Sequence, residues 1–273
     1  MKKLLSLLLA VLLCVALSAC GGGSTAEGSK QASTSTGMSA GTAVQGGEIT
    51  VGIAQDLDDS LDPHLTVKAG TREILFNIFE GLLKPTPDGK LVPAVAENCA
   101  VSADGLQYTC TLRDGVLFQN GAPVTVDDVV YSIERCADTT GKEKPLVEAF
   151  SNIQSVQAAD DKTVVITLKA PDNEFETYLT TAIIPKDYTH QDTAPIGTGP
   201  FQFVSRTAQD SIVLKKFDGY WGTPAYLDKV TFKIIENADA LVLALQSGAI
   251  DLCAHLTPTQ TAQLGVSYQI LEG

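Results

Sequence analysis

From Glu48 onward the apolar residues recur in short runs with two different periods. Ile49, Val51 and Ile53 alternate as in a strand, whereas Ile74, Leu75, Ile78, Phe79, Leu82 and Leu83 fall on one helical stripe. Asn98 to Leu112 reads as a hairpin turning at Ser102-Ala103-Asp104-Gly105. If Ser102 faces Gln107, the constant index sum of 209 sets Cys99 opposite Cys110. Opposed in this way they are placed to bridge, while a one-residue slip in register leaves two separate thiols. Thr125-Val126-Asp127-Asp128 opens a second helix: Thr125 caps the Asp128 amide, the acidic pair suits the positive end of the dipole, and Val126, Val129, Val130 and Ile133 face inward. Thr163 to Leu168, Ser211 to Phe217 and Val230 to Ile235 are β-branched strand runs. Asn237 caps a helix through Gln246 that Gly248 ends, Ile250 to Leu252 is extended, and Thr257-Pro258 starts a short helix that Gly265 closes. The pattern is mixed α and β, without a repeat of fixed period.

The first 47 residues follow other rules. Lys2 and Lys3 precede Leu4 to Leu17, in which Ser6 is the one polar residue. At ~1.5 Å per residue that run reaches ~21 Å, short of the ~30 Å hydrocarbon core, so residues 1–19 are expected to be a secretory signal peptide and not a span. Gly21 to Gly47 is nearly all Gly, Ser, Thr, Ala and Gln, which predicts a flexible tether over residues 20–47.

Composition narrows the function. The chain has 273 residues, room for one large or two ordinary domains. Lys plus Arg number 19 against 32 Asp plus Glu, a net charge of -13, which becomes 17 - 32 = -15 without Lys2 and Lys3. Such a field repels a phosphate backbone, so no nucleic-acid partner is expected. With 44% hydrophobic residues, wholesale disorder is excluded. There is no Gly-x-Ser-x-Gly, His-Glu-x-x-His or phosphate-cradling Gly-rich loop, and His64, His190 and His255 lie far apart. Cys253-Ala254-His255 is a poor zinc spacing, and Cys136 with Cys253 is either a second bridge or two core thiols. The chain is therefore read as no enzyme, with no cofactor and no metal.

Two resemblances add to this reading. Leu17-Ser18-Ala19-Cys20 resembles the lipobox of bacterial lipoproteins, which implies that Cys20 is lipidated and anchors the chain to the cell membrane. Leu61-Asp62-Pro63-His64 with Asn77 to Leu82, the stretch Pro93 to Arg135, Gly197-Thr198-Gly199-Pro200-Phe201, and Tyr220-Trp221-Gly222 with Gln246 to Asp251 together resemble the peptide-type, family 5 extracytoplasmic solute-binding proteins of ABC importers. That resemblance implies an α/β, periplasmic-binding-protein-like clamshell of type II. Lobe I would comprise residues 48–70 plus 195–273, lobe II residues 71–194, and the C-terminal lobe would be missing. It implies capture of a short peptide or similar small solute outside the membrane, by hinge closure, and delivery to ABC permease subunits. A rival reading is a truncated surface lipoprotein serving as an interaction or signalling module.

The ligand wall implied by the resemblance is the loop His64, Leu65 and Thr66, the bend at Gly197 and Thr198, and Trp221. His64 either touches a peptide carbonyl or chelated metal or is an exposed loop histidine; Trp221 either stacks on ligand or anchors packing. Arg113 either pairs with Asp127 or Asp128 or lies on a solvated rim.

Overall fold

The computed structural model describes residues 43–271 apart from 56, 58 and 142. The signal peptide, Cys20 and most of the spacer lie outside the described residues. The last two spacer residues already bond to the body: Gly46 N donates to Tyr226 O at 2.7 Å and Gly47 N to Asp228 Oδ2 at 3.1 Å. Their φ values of 94° and 92° favour glycine.

In chain order come β1 (Glu48–Ile53), α1 (Ala69–Leu75), β2 (Leu83–Pro85), β3 (Leu91–Pro93), β4 (Ala96–Val101), β5 (Gln107–Leu112) and α2 (Val126–Ala137). A 3-10 turn at Glu148–Asn152 leads to β6 (Ile153–Ala158), β7 (Thr163–Leu168) and α3 (Phe175–Tyr178). Then follow β8 (Phe201–Thr207), β9 (Ser211–Lys216), β10 (Lys229–Ile234), α4 (Ala238–Ser247), β11 (Leu252–Cys253) and α5 (Pro258–Thr261). Strand order is β11-β1-β10-β9-β8 in a five-stranded mixed sheet and β4-β5-β7-β6 in an antiparallel one, with β2-β3 as a separate ribbon.

β1 forms where alternation predicts it, but between parallel partners β10 and β11. Helix α4 covers one of its faces so closely that a methyl on Gly52 would lie 2.7 Å from Leu241 Cδ2. Val51, Ile53, Ile212, Leu214 and Val230 share one apolar core with residues of α1. A second core joins Tyr108, Cys110, Val164 and Ile166 of the antiparallel sheet to Val129 and Ile133 of α2.

The hairpin keeps the register that places Cys99 against Cys110, and the two form a disulfide. Its turn has Ser102 N donating to Gln107 O at 2.9 Å, with Gly105 at φ 70°. Cys136 and Cys253 are not bridged; the first is buried in the core. At α2, Thr125 N donates to Asp128 Oδ2 at 2.9 Å and Asp128 N to Thr125 Oγ1 at 3.3 Å, a complete capping box. Asn237 caps α4 through Asp239 N and Ala240 N, and Gly248 closes it at φ 72°.

The stripe from Ile74 to Leu83 is only in part a helix, because α1 stops at Leu75. Asn77 Nδ2 donates to Glu73 O and Ile74 O at 3.2 and 3.1 Å, using up the helix's terminal carbonyls. Asn77 O and Ile78 O then accept from Phe201 N and Gly199 N at 3.0 and 2.8 Å, so tertiary partners replace the helical ones. All six apolar residues remain buried on the new backbone path. The short helix α5 likewise ends before Gly265.

That crossing makes a measurable demand. A methyl on Gly197 would overlap Ile78 O, a backbone atom that cannot step aside, while one on Gly115 meets open space and only suffers its φ of 74°. Gly197→Ala should lose about 3 kcal/mol or more in urea unfolding followed by circular dichroism, against about 1 kcal/mol for Gly115→Ala. Equal losses would overturn the close-approach account.

Candidate functional site

Between Leu57 and Lys68 the chain has no regular structure, and Asp59 organises it. Its Oδ2 accepts from Thr66 Oγ1 at 2.7 Å, Val67 N at 2.7 Å and Lys68 N at 2.9 Å, while Oδ1 accepts from Ser60 N at 2.9 Å. Desolvation pushes this carboxyl up, but the four donors outweigh it and hold its pKa at about 2. Lys68, the N-cap of α1, gives no side-chain cap, so Asp59 supplies one from across the loop.

Asp62 and His64 are tied to the second helix. Arg135, near the C-terminus of α2, donates Nη1 to Asp62 Oδ1 at 3.0 Å and Nη2 to Oδ2 at 2.6 Å, a bidentate pair whose carboxylate is buried. The same Nη1 reaches His64 Nδ1 at 2.7 Å. A guanidinium only donates, so Nδ1 carries no proton and Nε2–H donates to Ala182 O at 2.8 Å. This fixes one neutral tautomer. Burial is the largest influence and pushes the ring below its ordinary 6.5; the Ala182 carbonyl pulls it up, Arg135 pushes it down and Asp62 offsets that in part.

Above this pair opens a cleft of about 310 Å³. One wall is Pro63, His64 and Thr66 with Arg72, Leu75 and Phe76 from α1 and the turn after it. The other is Leu146 and Val147 before the 3-10 turn, with Tyr178 at the end of α3 and Thr181 and Ala182 after it. Of the residues expected on the ligand wall, His64 and Thr66 line this cleft and Leu65 stands exposed beside them. Gly197 and Thr198 do not: Thr198 is fully buried, and Gly197 is pressed against Ile78.

Trp221 also sits elsewhere. Its indole Nε1 donates to Glu80 Oε2 at 2.7 Å, and Lys84 Nζ and the Arg113 guanidinium carbon lie 4.7 and 4.3 Å from its ring centroid. Lys84 Nζ and Tyr220 Oη both donate to Glu80 Oε1, and burial together with that carboxylate raises the Tyr220 pKa. Trp221 thus anchors packing. Arg113 pairs with neither Asp127 nor Asp128; its Nε donates to Ala94 O at 3.1 Å while Lys186 takes Asp127.

Comparison with known proteins agrees with this architecture. The family profile of the bacterial extracellular solute-binding proteins, family 5 Middle, matches residues 90–271. The chain belongs to that family. The glutathione-binding protein GsiB of Pectobacterium atrosepticum is 31% identical over 199 residues, 69% of this chain and 38% of the relative. Among solved structures, the periplasmic binding protein DppA of Helicobacter pylori with peptide STSA matches at TM-score 0.74 and 31% identity, covering 81% of this chain and 49% of that one. AgaA of Agrobacterium tumefaciens with agropinic acid matches at 0.74 and 30%, covering 80% and 45%. The chain spans less than half the length of these relatives. The fold is that of the type II periplasmic binding proteins, and the relatives are binding proteins, not enzymes.

Four contributors to this cleft and its supports escape sequence reading: Asp59, Arg72, Arg135 and the 177–182 segment. Asp62 and Arg135 are 73 residues apart, and nothing local in either segment announces the other. Among the described residues, no group of three or more His, Cys, Asp or Glu could hold a metal ion.

The His64 geometry has a pH signature. Its folded-state pKa lies below the ordinary 6.5, so the stability tied to the neutral ring is present above that value and is lost as pH falls through the folded pKa. Nitrogen NMR should show the Nε2–H tautomer with a lowered midpoint, and His64→Gln should flatten the decline in unfolding free energy below about pH 6.5. A freely titrating ring at its ordinary midpoint would contradict this. Removing the other partner is a separate measurement: Arg135→Met strands the buried Asp62 carboxylate and should lower stability by about 3 kcal/mol in urea melts at neutral pH.

Proposed function

We propose that this chain is the capturing part of an ABC-importer receptor, taking a short peptide or a solute of similar size outside the membrane for delivery to permease subunits. The observation that carries the reading is the cleft of about 310 Å³, one wall of which is the preorganised loop His64 to Thr66. The loop is held by Asp59 and Asp62 before any ligand arrives, so little ordering entropy remains to oppose binding. Relatives supply the ligand class: glutathione, the peptide STSA and agropinic acid are all small, polar and carboxylate-bearing.

In this proposal residues 1–19 are a signal peptide, Cys20 carries the lipid, and residues up to Gly47 tether the body to the outer face of the membrane. Two lobes meet at the cleft. In this proposal the first boundary between them is drawn near Glu80 instead of residue 70, a choice supported by the packing of Ile74, Leu75, Ile78 and Phe79 with the five-stranded sheet. A further lobe, of the kind the family resemblance implies, would close over the exposed Leu65, Val67 and Phe76 when ligand binds. No bond is made or broken; only the closed population engages the permease.

Calorimetry of the full chain with glutathione and a library of two- to five-residue peptides tests the reading, with the Helicobacter pylori relative as positive control. Saturable binding of at least one class supports it. Silence across the library, with a responding control, would sink it.

A further inference from the structure

We propose that Arg72 is the anion-binding residue of the cleft, which takes a small solute and seats its carboxylate on the Arg72 guanidinium. This deepens the solute-capture reading and rests on it. The chain carries 32 acidic against 19 basic residues, yet among the described residues no Asp or Glu lines this cleft and its one formally charged side chain is cationic. Among the described residues, the acidic groups nearby in sequence, Asp59, Asp62 and Glu73, are engaged with other partners. Asp59 is occupied by Thr66, Val67, Lys68 and Ser60; Asp62 is forked by Arg135; Glu73, next to Arg72, pairs with His255 at 3.1 Å. His64 adds no charge, because Arg135 and Ala182 hold it in the neutral tautomer.

Arg72 is also aimed in advance. Its Nε and Nη2 both donate to Thr66 O, at 3.2 and 3.0 Å, which holds the long side chain against the loop. Among the described residues it forms no ion pair, so Nη1 and the second Nη2 proton have no protein acceptor. A guanidinium presenting donors in a rigid plane matches the two oxygens of a carboxylate, and its immobilisation leaves less entropy to lose on binding. The rest of the cleft is mixed: Leu75, Phe76, Phe79, Val147 and Tyr178 offer carbon surface to the remainder of such a solute, with Thr177, Thr180 and Thr181 beside them.

The probe is N-acetyl-leucine, with N-acetyl-leucinamide as its uncharged twin. In the full chain labelled with ¹⁵N-arginine, the acid should shift the Arg72 Nε resonance saturably and leave those of Arg113, Arg135 and Arg206 in place. The amide should not move it. In calorimetry Arg72→Gln should weaken the acid by about tenfold or more and leave the amide unchanged, with Arg72→Lys between the two because it keeps the charge and loses the fork. An unmoved Arg72 signal, equal binding of acid and amide, or equal loss of both in Arg72→Gln would overturn the proposal. The two readings fail separately: peptides that bind Arg72→Gln as they bind the parent chain leave capture standing and remove Arg72, whereas a saturable Arg72 shift beside a silent peptide library does the reverse.

Discussion

The structure turns on two backbones that pass too close for side chains. Asn77–Ile78, leaving the core of the five-stranded sheet, runs beside Gly197–Phe201, returning to it, and their main-chain groups bond directly. Gly197 and Gly199 are required by contact, since a methyl on Gly199 would stand 2.7 Å from Asn77 O. Gln119 seals the crossing: its Nε2 donates to Ile78 O, Gly199 O and Phe201 O, and its Oε1 accepts from Gly197 N at 3.0 Å. One amide thereby bonds carbonyls from both passes of the chain, Ile78 O among them in addition to its bond from Gly199 N.

Polar pairs fasten the two cores on either side of that crossing. Asp62, His64 and Arg135 join the loop before α1 to α2. Glu80, Lys84, Tyr220, Trp221 and Arg113 join the loop after β9 to β2 and the end of β5. Ser132 Oγ accepts from Ile184 N at 2.9 Å and adds a third tie, inside the core. Each charge in these ties has an opposite charge or, for Arg113, a carbonyl acceptor and an aromatic face, the condition under which burying ions is tolerable. The cleft wall inherits its rigidity from them.

What was legible in the sequence is what neighbouring residues decide. The hairpin register, the Thr125 capping box, the Asn237 cap and the αL glycines at 105 and 248 each depend on a few adjacent side chains. The stripe Ile74 to Leu83 identified burial correctly and backbone path only in part, since periodicity reports which positions are apolar and not which carbonyls a distant strand will claim. The ligand wall shows the same division. His64 to Thr66 could be located because the loop carries a contiguous motif, whereas Trp221 was drawn to Glu80 and Arg113 by contacts spanning more than 100 residues. Arg72 and Arg135 carry no local mark, because a cation on a helix reads as solvated surface until its partner is known.

The place of β1 in its sheet has a consequence for how the chain acquires its shape. Its neighbour β10 lies 181 positions downstream, as the Glu48 to Lys229 pairing requires, whereas the antiparallel sheet draws all four strands from residues 96–168. At a synthesis rate of ~5 to 20 residues per second, the first strand waits ~10 to 40 seconds for its mate, with Val51 and Ile53 lacking that sheet neighbour throughout. The late-starting, locally wired half is therefore the first able to condense, and the earliest segment to emerge is among the last to settle.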